Sequence, residues 1–138
     1  MEAQKQFKKR NAILSYLQAT DEHPSAEMVY MGVKKDCPDI SLATVYRNLA
    51  LFRNQGLIQS VGTVHGNERF DGNTEPHVHF ICNECGSVLD LPEVEAPAQL
   101  CYAVENGTGG KVNMYHLSFV GTCKNCIKKK LKFWRKDL

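Results

Sequence analysis

The chain has 138 residues, with 17 lysines and arginines against 15 aspartates and glutamates. This length suits one ordinary domain or two small ones, and a half of that size commonly needs a metal or another cross-link to be stable. No stretch is apolar enough to span a membrane, and the basic amino terminus lacks the apolar run of a signal peptide. We therefore expect a cytoplasmic protein with no membrane partner.

The charge is unevenly distributed. Residues 1–71 carry nine lysines or arginines against eight acids, residues 72–122 one against six, and residues 123–138 seven against one. The nearly neutral first segment argues against strong non-specific binding to nucleic acid. The basic carboxyl end is more typical of a solvated helix than of a nucleic-acid arm.

Residues 1–71 are predicted to form three helices followed by a β-hairpin, which is the order of a winged helix. The first helix spans roughly Gln4 to Ala19, and Ser25 caps the second. The third helix begins at Ser41 and is terminated by Gly56. Strands are predicted at 57–61 and 68–71, with a turn through residues 65–67.

The third helix is predicted to have one buried and one outward face. Its buried stripe is Leu42, Val45, Leu49 and Phe52, and its outward residues are Ala43, Thr44, Tyr46 and Arg47. An arginine can contact guanine or phosphate, hydroxyl groups can bond phosphate, and an alanine permits close approach to a major groove. Such residues are also common on helices that bind no DNA, so the pattern alone leaves a role in binding double-stranded DNA open.

Residues 72–76 read as a linker, and residues 77–138 as a second, α+β domain. Its strands are predicted at 77–82, 87–91 and 111–120, and its helices at 97–106 and 124–136. Gly107 is expected to end the first of these helices. A small sheet with an exposed edge favours pairing with a second copy of the chain, which predicts a homodimer.

Two Cys-x-x-Cys pairs, Cys82 with Cys85 and Cys123 with Cys126, stand 37 residues apart. Four cysteines with this spacing fit a tetrahedral structural zinc site. Two disulfides or two redox dithiols are the alternatives, and they are disfavoured because nothing indicates secretion and no βαβ pattern precedes either pair.

A second group of donors mixes imidazoles and carboxylates. His77 and His79 are two apart in a predicted strand, so their rings lie on the same side. Asp71 precedes the linker, and Asp90 lies in the neighbouring predicted strand. Such ligands suit iron, manganese or zinc. The alternative is a pair of histidines on a solvated face.

Four motifs follow one another along the chain: Ser41-Leu-Ala-Thr-Val-Tyr-Arg-Asn-Leu, Arg69-Phe-Asp71, His77-Val-His-Phe-Ile-Cys-Asn-Glu-Cys-Gly and Gly121-Thr-Cys-Lys-Asn-Cys126. Together they resemble the ferric uptake regulator family of bacterial metal-dependent repressors. The resemblance implies a homodimer that binds a palindromic operator, with an amino-terminal winged helix and a dimerisation module holding the four-cysteine zinc. Relatives commonly carry a further leading helix that helps to contact DNA, which this chain is expected to lack.

The resemblance also implies a regulatory site for iron or manganese. Its ligands would be His23, Asp71, His77, His79 and Asp90. Aspartates at positions 71 and 90 look like the peroxide-sensing branch of the family, in which iron reacts with hydrogen peroxide and a histidine ligand is oxidised. A plain iron or zinc sensor is the alternative within the family.

Two other classes of protein fit the sequence less well. A zinc-dependent hydrolase or deaminase is disfavoured, because the His-x-Glu and Pro-Cys-x-x-Cys motifs of the zinc deaminases are absent. A zinc-containing protein-interaction module would leave the outward face of the third helix unexplained. We therefore expect a repressor and not an enzyme.

Overall fold

The computed structural model describes residues 1–136. It divides into two compact units, residues 1–74 and a second unit that begins at Glu75. The boundary falls inside the range 72–76. The last two residues of the predicted second domain, 137 and 138, lie outside the described part. None of the helices in residues 1–136 is long and apolar enough to cross a membrane.

The first unit is a winged helix. Its elements are α1 (Glu2–Ala19), α2 (Ala26–Val33), α3 (Leu42–Asn54), β1 (Gln59–Val64) and β2 (Asn67–Asp71). The predicted order of helix, helix, helix and hairpin is confirmed, and α1 begins two residues earlier than predicted. The core is apolar and is formed by Ile13, Leu17, Ala26, Val29, Val33, Cys37, Ile40, Val45, Leu49, Phe52, Ile58 and Phe70.

Local capping explains where these helices begin and end. The Ser25 side chain accepts a hydrogen bond from the backbone N–H of Met28, and Ser41 caps α3 in the same way. At the other end of α3, Gly56 has a φ of 74°. The N–H of Leu57 donates to the carbonyl of Phe52 at 2.9 Å, which is the hydrogen bond of a Schellman motif. The predicted caps are therefore confirmed.

The hairpin turn is tighter than the sequence predicts. β1 and β2 pair antiparallel from Gln59 opposite Asp71 to Val64 opposite Asn67. Only His65 and Gly66 form the turn, with φ values of 51° and 82°, as a two-residue turn between twisted strands requires. The strand predicted at 57–61 therefore runs from 59 to 64, with a bulge between Ser60 and Gly62.

The second unit is a small α+β module. Within residues 75–136 its elements are β3 (Val78–Cys82), β4 (Val88–Leu91), α4 (Ala98–Thr108), β5 (Leu117–Gly121) and α5 (Lys124–Lys136). The sheet order is β4-β3-β5, with β3 antiparallel to β4 and parallel to β5. The predicted span of α5 is confirmed.

Two predicted boundaries in this unit are wrong. Gly107 lies inside α4, and the helix ends at Gly109, whose φ of 72° supplies the left-handed cap. β5 begins at Leu117 and not at residue 111, because its ladder with β3 starts where Val78 meets Leu117. The local sequence does not reveal the end of α4, since both glycines suit a helix cap. It does not reveal the start of β5 either, since the strand that pairs with β5 is distant in the sequence.

Candidate metal centres and DNA-binding face

The four-cysteine cluster lies within the second unit. Cys82 ends β3 and Cys126 lies in the first turn of α5. The sulfurs of Cys82 and Cys126 are 3.8 Å apart, as are those of Cys85 and Cys123, and all four lie within 4.8 Å of one another. Zinc–sulfur bonds of about 2.3 Å at tetrahedral angles separate sulfurs by about 3.8 Å. The cluster therefore fits a structural zinc ion.

Backbone hydrogen bonds hold the two cysteine pairs against each other. Cys82 pairs with Gly121 across the β3–β5 ladder, and the N–H of Asn83 donates to the carbonyl of Gly121 at 2.9 Å. The N–H of Cys123 also points at the Cys82 sulfur, at 3.3 Å. The parallel ladder thus brings two cysteine pairs with 37 residues between them into one site.

The thiols of this cluster ionise unequally. Hydrogen bonds from the backbone N–H groups of Cys85 and Cys123 lower the pKa of Cys82 to about 6. A hydrogen bond shared with Cys123, together with burial, raises the pKa of Cys126 to about 12. The pKa values of Cys82 and Cys126 are thus shifted in opposite directions, and a divalent cation removes the mutual repulsion of thiolates brought this close. Ser87, which the sequence reasoning missed, lies 2.7 Å from the Cys85 sulfur and lowers the pKa of that thiol.

Three nitrogen and oxygen donors converge elsewhere in the second unit. His79 lies directly opposite Asp90 across the β3–β4 pair. The Nε2 atoms of His77 and His79 are 2.9 and 3.1 Å from the same Asp90 oxygen, Oδ1, and the ring centroids of the two histidines are 4.3 Å apart. The prediction that both rings lie on one side is confirmed.

The spacing and protonation of these donors suit a cation. The Nδ1 of His77 lies 2.6 Å from the carbonyl oxygen of Glu75. A carbonyl only accepts, so this contact assigns the proton to Nδ1 and leaves Nε2 with the lone pair that a metal needs. Nε2 and the Asp90 oxygen are then two acceptors in contact, which requires a proton or a metal ion between them. Cis ligands on an octahedral ion with bonds of about 2.1 Å lie about 3.0 Å apart, close to both observed separations.

The remaining two predicted ligands lie in the first unit. His23 is in the loop between α1 and α2, and Asp71 ends β2. The His23 Nε2 is 3.3 Å from Asp71 Oδ2, and both side chains are buried. The other Asp71 oxygen accepts a hydrogen bond from the N–H of Asn73 at 2.9 Å. The five predicted ligands are thus divided between the units, two in the first and three in the second.

The outward face of α3 differs from the prediction at one position. Ala43, Tyr46 and Arg47 are exposed, whereas Thr44 is only 6% exposed. The prediction that Thr44 faces outward is wrong, because its hydroxyl contacts the capping hydroxyl of Ser41 at 2.9 Å. Thr44 Oγ1 also accepts a hydrogen bond from Arg47 Nη2 at 3.1 Å. Thr44 therefore orients the arginine and does not extend the exposed face. Residues 41–56 contain no acidic side chain.

Known proteins resemble the chain over most of its length. The model of the ferric uptake regulator family matches residues 2–117. The peroxide operon regulator of Bacillus subtilis (strain 168) is 38% identical over 122 residues, covering 87% of this chain and 82% of that protein. The peroxide-responsive repressor PerR of Staphylococcus aureus (strain USA300) is 36% identical over 122 residues, covering 85% of this chain and 78% of that protein.

Among solved structures, the Campylobacter jejuni peroxide stress regulator superposes with a TM-score of 0.77 at 31% identity, covering 91% of this chain and 93% of that one. The family model stops at residue 117, so Cys123 and Cys126 lie beyond it. Their place in the zinc site follows from the sulfur distances.

Proposed function

Because the chain belongs to the ferric uptake regulator family, we propose that it is a cytoplasmic, homodimeric, metal-dependent repressor of transcription that responds to peroxide. The observation that carries the proposal is the presence of two chemically different donor sets, one of four sulfurs and one of imidazoles and carboxylates. The sulfur set suits a structural zinc ion, and the mixed set suits a regulatory iron or manganese ion.

Regulation follows from the division of the mixed donors. His23 and Asp71 belong to the winged helix, whereas His77, His79 and Asp90 belong to the second unit. A single ion that needs donors from both units favours the arrangement in which they meet. A preference of about 10⁴-fold, or about 5.5 kcal/mol, shifts such an equilibrium from mostly open to mostly closed. Metal binding would thereby hold the two winged helices of a dimer at the spacing of an operator.

The surface of α3 supports DNA as the partner. Ala43, Tyr46 and Arg47 form its exposed face, and Thr44 holds the guanidinium of Arg47 by a hydrogen bond. An arginine oriented in this way can contact guanine or phosphate in a major groove. A symmetric dimer would read a palindromic site.

The second unit supports dimerisation. Its α4 has no buried residue within Ala98–Thr108. Large apolar side chains on α4 and β5 are about half exposed or more, namely Leu100, Tyr102, Val104, Phe119 and Val120. A single small module that leaves so much apolar surface in water is expected to cover it with a second copy.

The aspartates at positions 71 and 90 support the peroxide response, as does the similarity to relatives named for peroxide. Ferrous iron, when bound, supplies the electrons that reduce hydrogen peroxide. By resemblance to the peroxide-sensing branch of the family, the oxygen atom would be added to His23 or His77. A ring that gains an oxygen atom no longer donates the same lone pair. Loss of this donor would open the units and release DNA.

The test is DNA binding measured against metal and peroxide. Fluorescence anisotropy on a palindromic AT-rich duplex should show binding with Mn²⁺ or Fe²⁺ and none after chelation. Brief peroxide treatment should abolish binding of the iron form and leave the manganese form active. Peptide mass spectrometry should then locate one added oxygen on His23 or His77.

Other outcomes identify the alternatives. Retained DNA binding and unmodified histidines in the iron form after peroxide would indicate a plain iron or zinc sensor. Metal binding without any DNA binding would remove the repressor function and reopen the case for a zinc-dependent hydrolase or an interaction module, which the family match disfavours.

A further inference from the structure

The backbone of His23 adopts a left-handed conformation, which is unfavourable for residues other than glycine. Its φ is 53°, and within residues 1–136 only His65 shares a positive φ among non-glycine residues. His65 lies in a two-residue hairpin turn, where such a φ is required. His23 lies in the loop between α1 and α2, where no turn of that kind demands it. Contacts with the rest of the unit must therefore hold this residue.

Those contacts come from β2. The Nε of Arg69 donates to the carbonyl oxygen of His23, and its Nη2 donates to the carbonyl of Glu22 at 2.8 Å. The planar guanidinium thus donates hydrogen bonds to two successive carbonyl groups. A flexible ammonium group matches this geometry less well. The N–H of Phe70 adds a hydrogen bond to the carbonyl of Pro24 at 3.0 Å.

The same strand also holds the imidazole. Asp71 is two residues after Arg69, so both side chains leave β2 on the same side. Its carboxylate contacts the His23 Nε2 at 3.3 Å. Arg69 therefore holds the backbone of His23 while Asp71 contacts its ring. The two residues differ in chemistry, because Asp71 can bind a metal whereas a guanidinium has no lone pair to give.

We propose that Arg69 is a positioning residue for the regulatory metal: it fixes the loop at Glu22 and His23 so that the imidazole is presented beside Asp71. This inference rests on the proposed function, since it concerns the same regulatory ligands. It predicts that Arg69 sets the metal concentration at which the repressor responds. Loss of the guanidinium lets the His23 backbone relax, and the ligand must then be ordered again when metal binds.

An electrostatic role and a positioning role of Arg69 predict opposite changes in Mn²⁺ affinity. Arg69→Gln removes a positive charge close to a cation site, so a purely electrostatic role would strengthen Mn²⁺ binding. A positioning role would weaken it by about 10- to 100-fold, as is typical when a group that orients a ligand is lost. Arg69→Lys keeps the charge but loses the planar fork, so positioning predicts weaker binding there too, whereas electrostatics predicts no change.

The experiment is Mn²⁺ titration of the zinc-loaded full chain by isothermal calorimetry, for the wild type, both Arg69 variants and Arg53→Gln. Arg53 lies on α3 and forms a 2.7 Å ion pair with Glu68 on β2. Arg53→Gln should therefore bind Mn²⁺ as the wild type does. Zinc content and melting temperature check that each variant is folded.

A second measurement examines the metal-free protein. Amide hydrogen exchange at His23 should be faster in Arg69→Lys than in the wild type and unchanged in Arg53→Gln. Wild-type Mn²⁺ affinity in both Arg69 variants would overturn the inference and leave the proposed function intact, as would stronger binding in Arg69→Gln. Absence of a Mn²⁺ site in the wild type would overturn both.

Discussion

The sulfur cluster and the proposed set of mixed donors differ in how much of the fold each one needs. All four cysteines lie in the second unit, where one parallel ladder and the start of α5 bring them together. The imidazoles and carboxylates come from the loop after α1, from β2, from the residue before β3, from β3 itself and from β4, and they are divided between the units. A site built inside one unit stabilises that unit, whereas a set of donors divided between two units can report on their arrangement.

The ligand chemistry follows the same division. Four thiolates complete the shell of a tetrahedral zinc ion and leave no position for a further ligand. Imidazole and carboxylate donors suit six-coordinate iron or manganese, which bind less tightly and exchange more readily with the surroundings. The first cluster is therefore suited to permanent occupancy and the second to sensing.

The largest effect is expected when the sulfur cluster is broken. Cys85→Ser should abolish zinc binding and give an unstable, largely monomeric protein, because the zinc-binding energy is part of the folding energy of a small unit. The melting temperature should fall by more than about 10 °C. Metal analysis and sedimentation velocity check the zinc content and the oligomeric state.

The matched control for this variant is Cys101→Ser. Cys101 lies on α4 and is not one of the four clustered cysteines, so its replacement should leave the zinc content unchanged. A stable, zinc-free dimer of Cys85→Ser would contradict the structural role of the cluster.

The mixed cluster should respond differently to a conservative change. In Asp90→Glu the longer side chain can still supply an oxygen, but it moves the oxygen that contacts both His77 and His79. We expect this variant to repress with iron, to retain its zinc, and to respond poorly to peroxide. DNA binding before and after peroxide measures the response. A peroxide sensitivity equal to that of the wild type would show that the carboxylate position does not matter.

Replacement of an α3 residue should leave both metal clusters unchanged. Arg47→Ala is expected to weaken operator binding by about 1–3 kcal/mol, with normal Mn²⁺ affinity and zinc content. Thr44→Val keeps the shape of the buried side chain and removes its hydrogen bond to Arg47, so it should cause a smaller loss. Unchanged binding in Arg47→Ala, measured by anisotropy, would mean that another surface contacts DNA.

The smallest effect is expected at Gly72, beside Asp71. A β-carbon at this position would lie 2.5 Å from the carbonyl oxygen of Leu17, so Gly72→Ala must shift the end of β2. Mn²⁺ affinity should fall by less than about tenfold, with the zinc content unchanged.

Gly107→Ala provides the comparison in the second unit. A β-carbon there meets nothing within 4 Å, and the position lies inside α4. This variant should raise stability by about 0.5–1 kcal/mol without changing Mn²⁺ affinity. Equal Mn²⁺ affinities in the two glycine variants would show that the end of β2 has no influence on the regulatory donors.

Features that depend on neighbours in sequence were predictable. Ser25 and Ser41 cap helices, and Gly56 ends one, through hydrogen bonds to residues a few positions away. The Cys-x-x-Cys spacing likewise predicts a metal, because two sulfurs from one short turn can share an ion. Alternation also predicted that His77 and His79 lie on one side of a strand, and their rings do.

Side-chain contacts, the choice between similar glycines and the extent of strand pairing were not predictable from such patterns. Thr44 lies on the outward side by helical periodicity, yet its hydroxyl is buried by contacts with Ser41 and Arg47. Gly107, Gly109 and Gly110 all follow Asn106 and could each end α4, and among them only Gly109 takes the left-handed conformation. The start of β5 is set by its pairing with Val78, 39 residues earlier by the numbering.

The sequence by itself determined the chemistry of this protein: which residues supply sulfur, nitrogen and oxygen, and which helix carries an arginine suited to DNA. Only the tertiary structure decided how those atoms meet, such as the two imidazoles on one Asp90 oxygen and the Arg69 contact to a loop 46 residues away. The physical reason is that donor type belongs to a single side chain. The position of each donor depends on strand register and on hydrogen bonds between segments far apart in the chain.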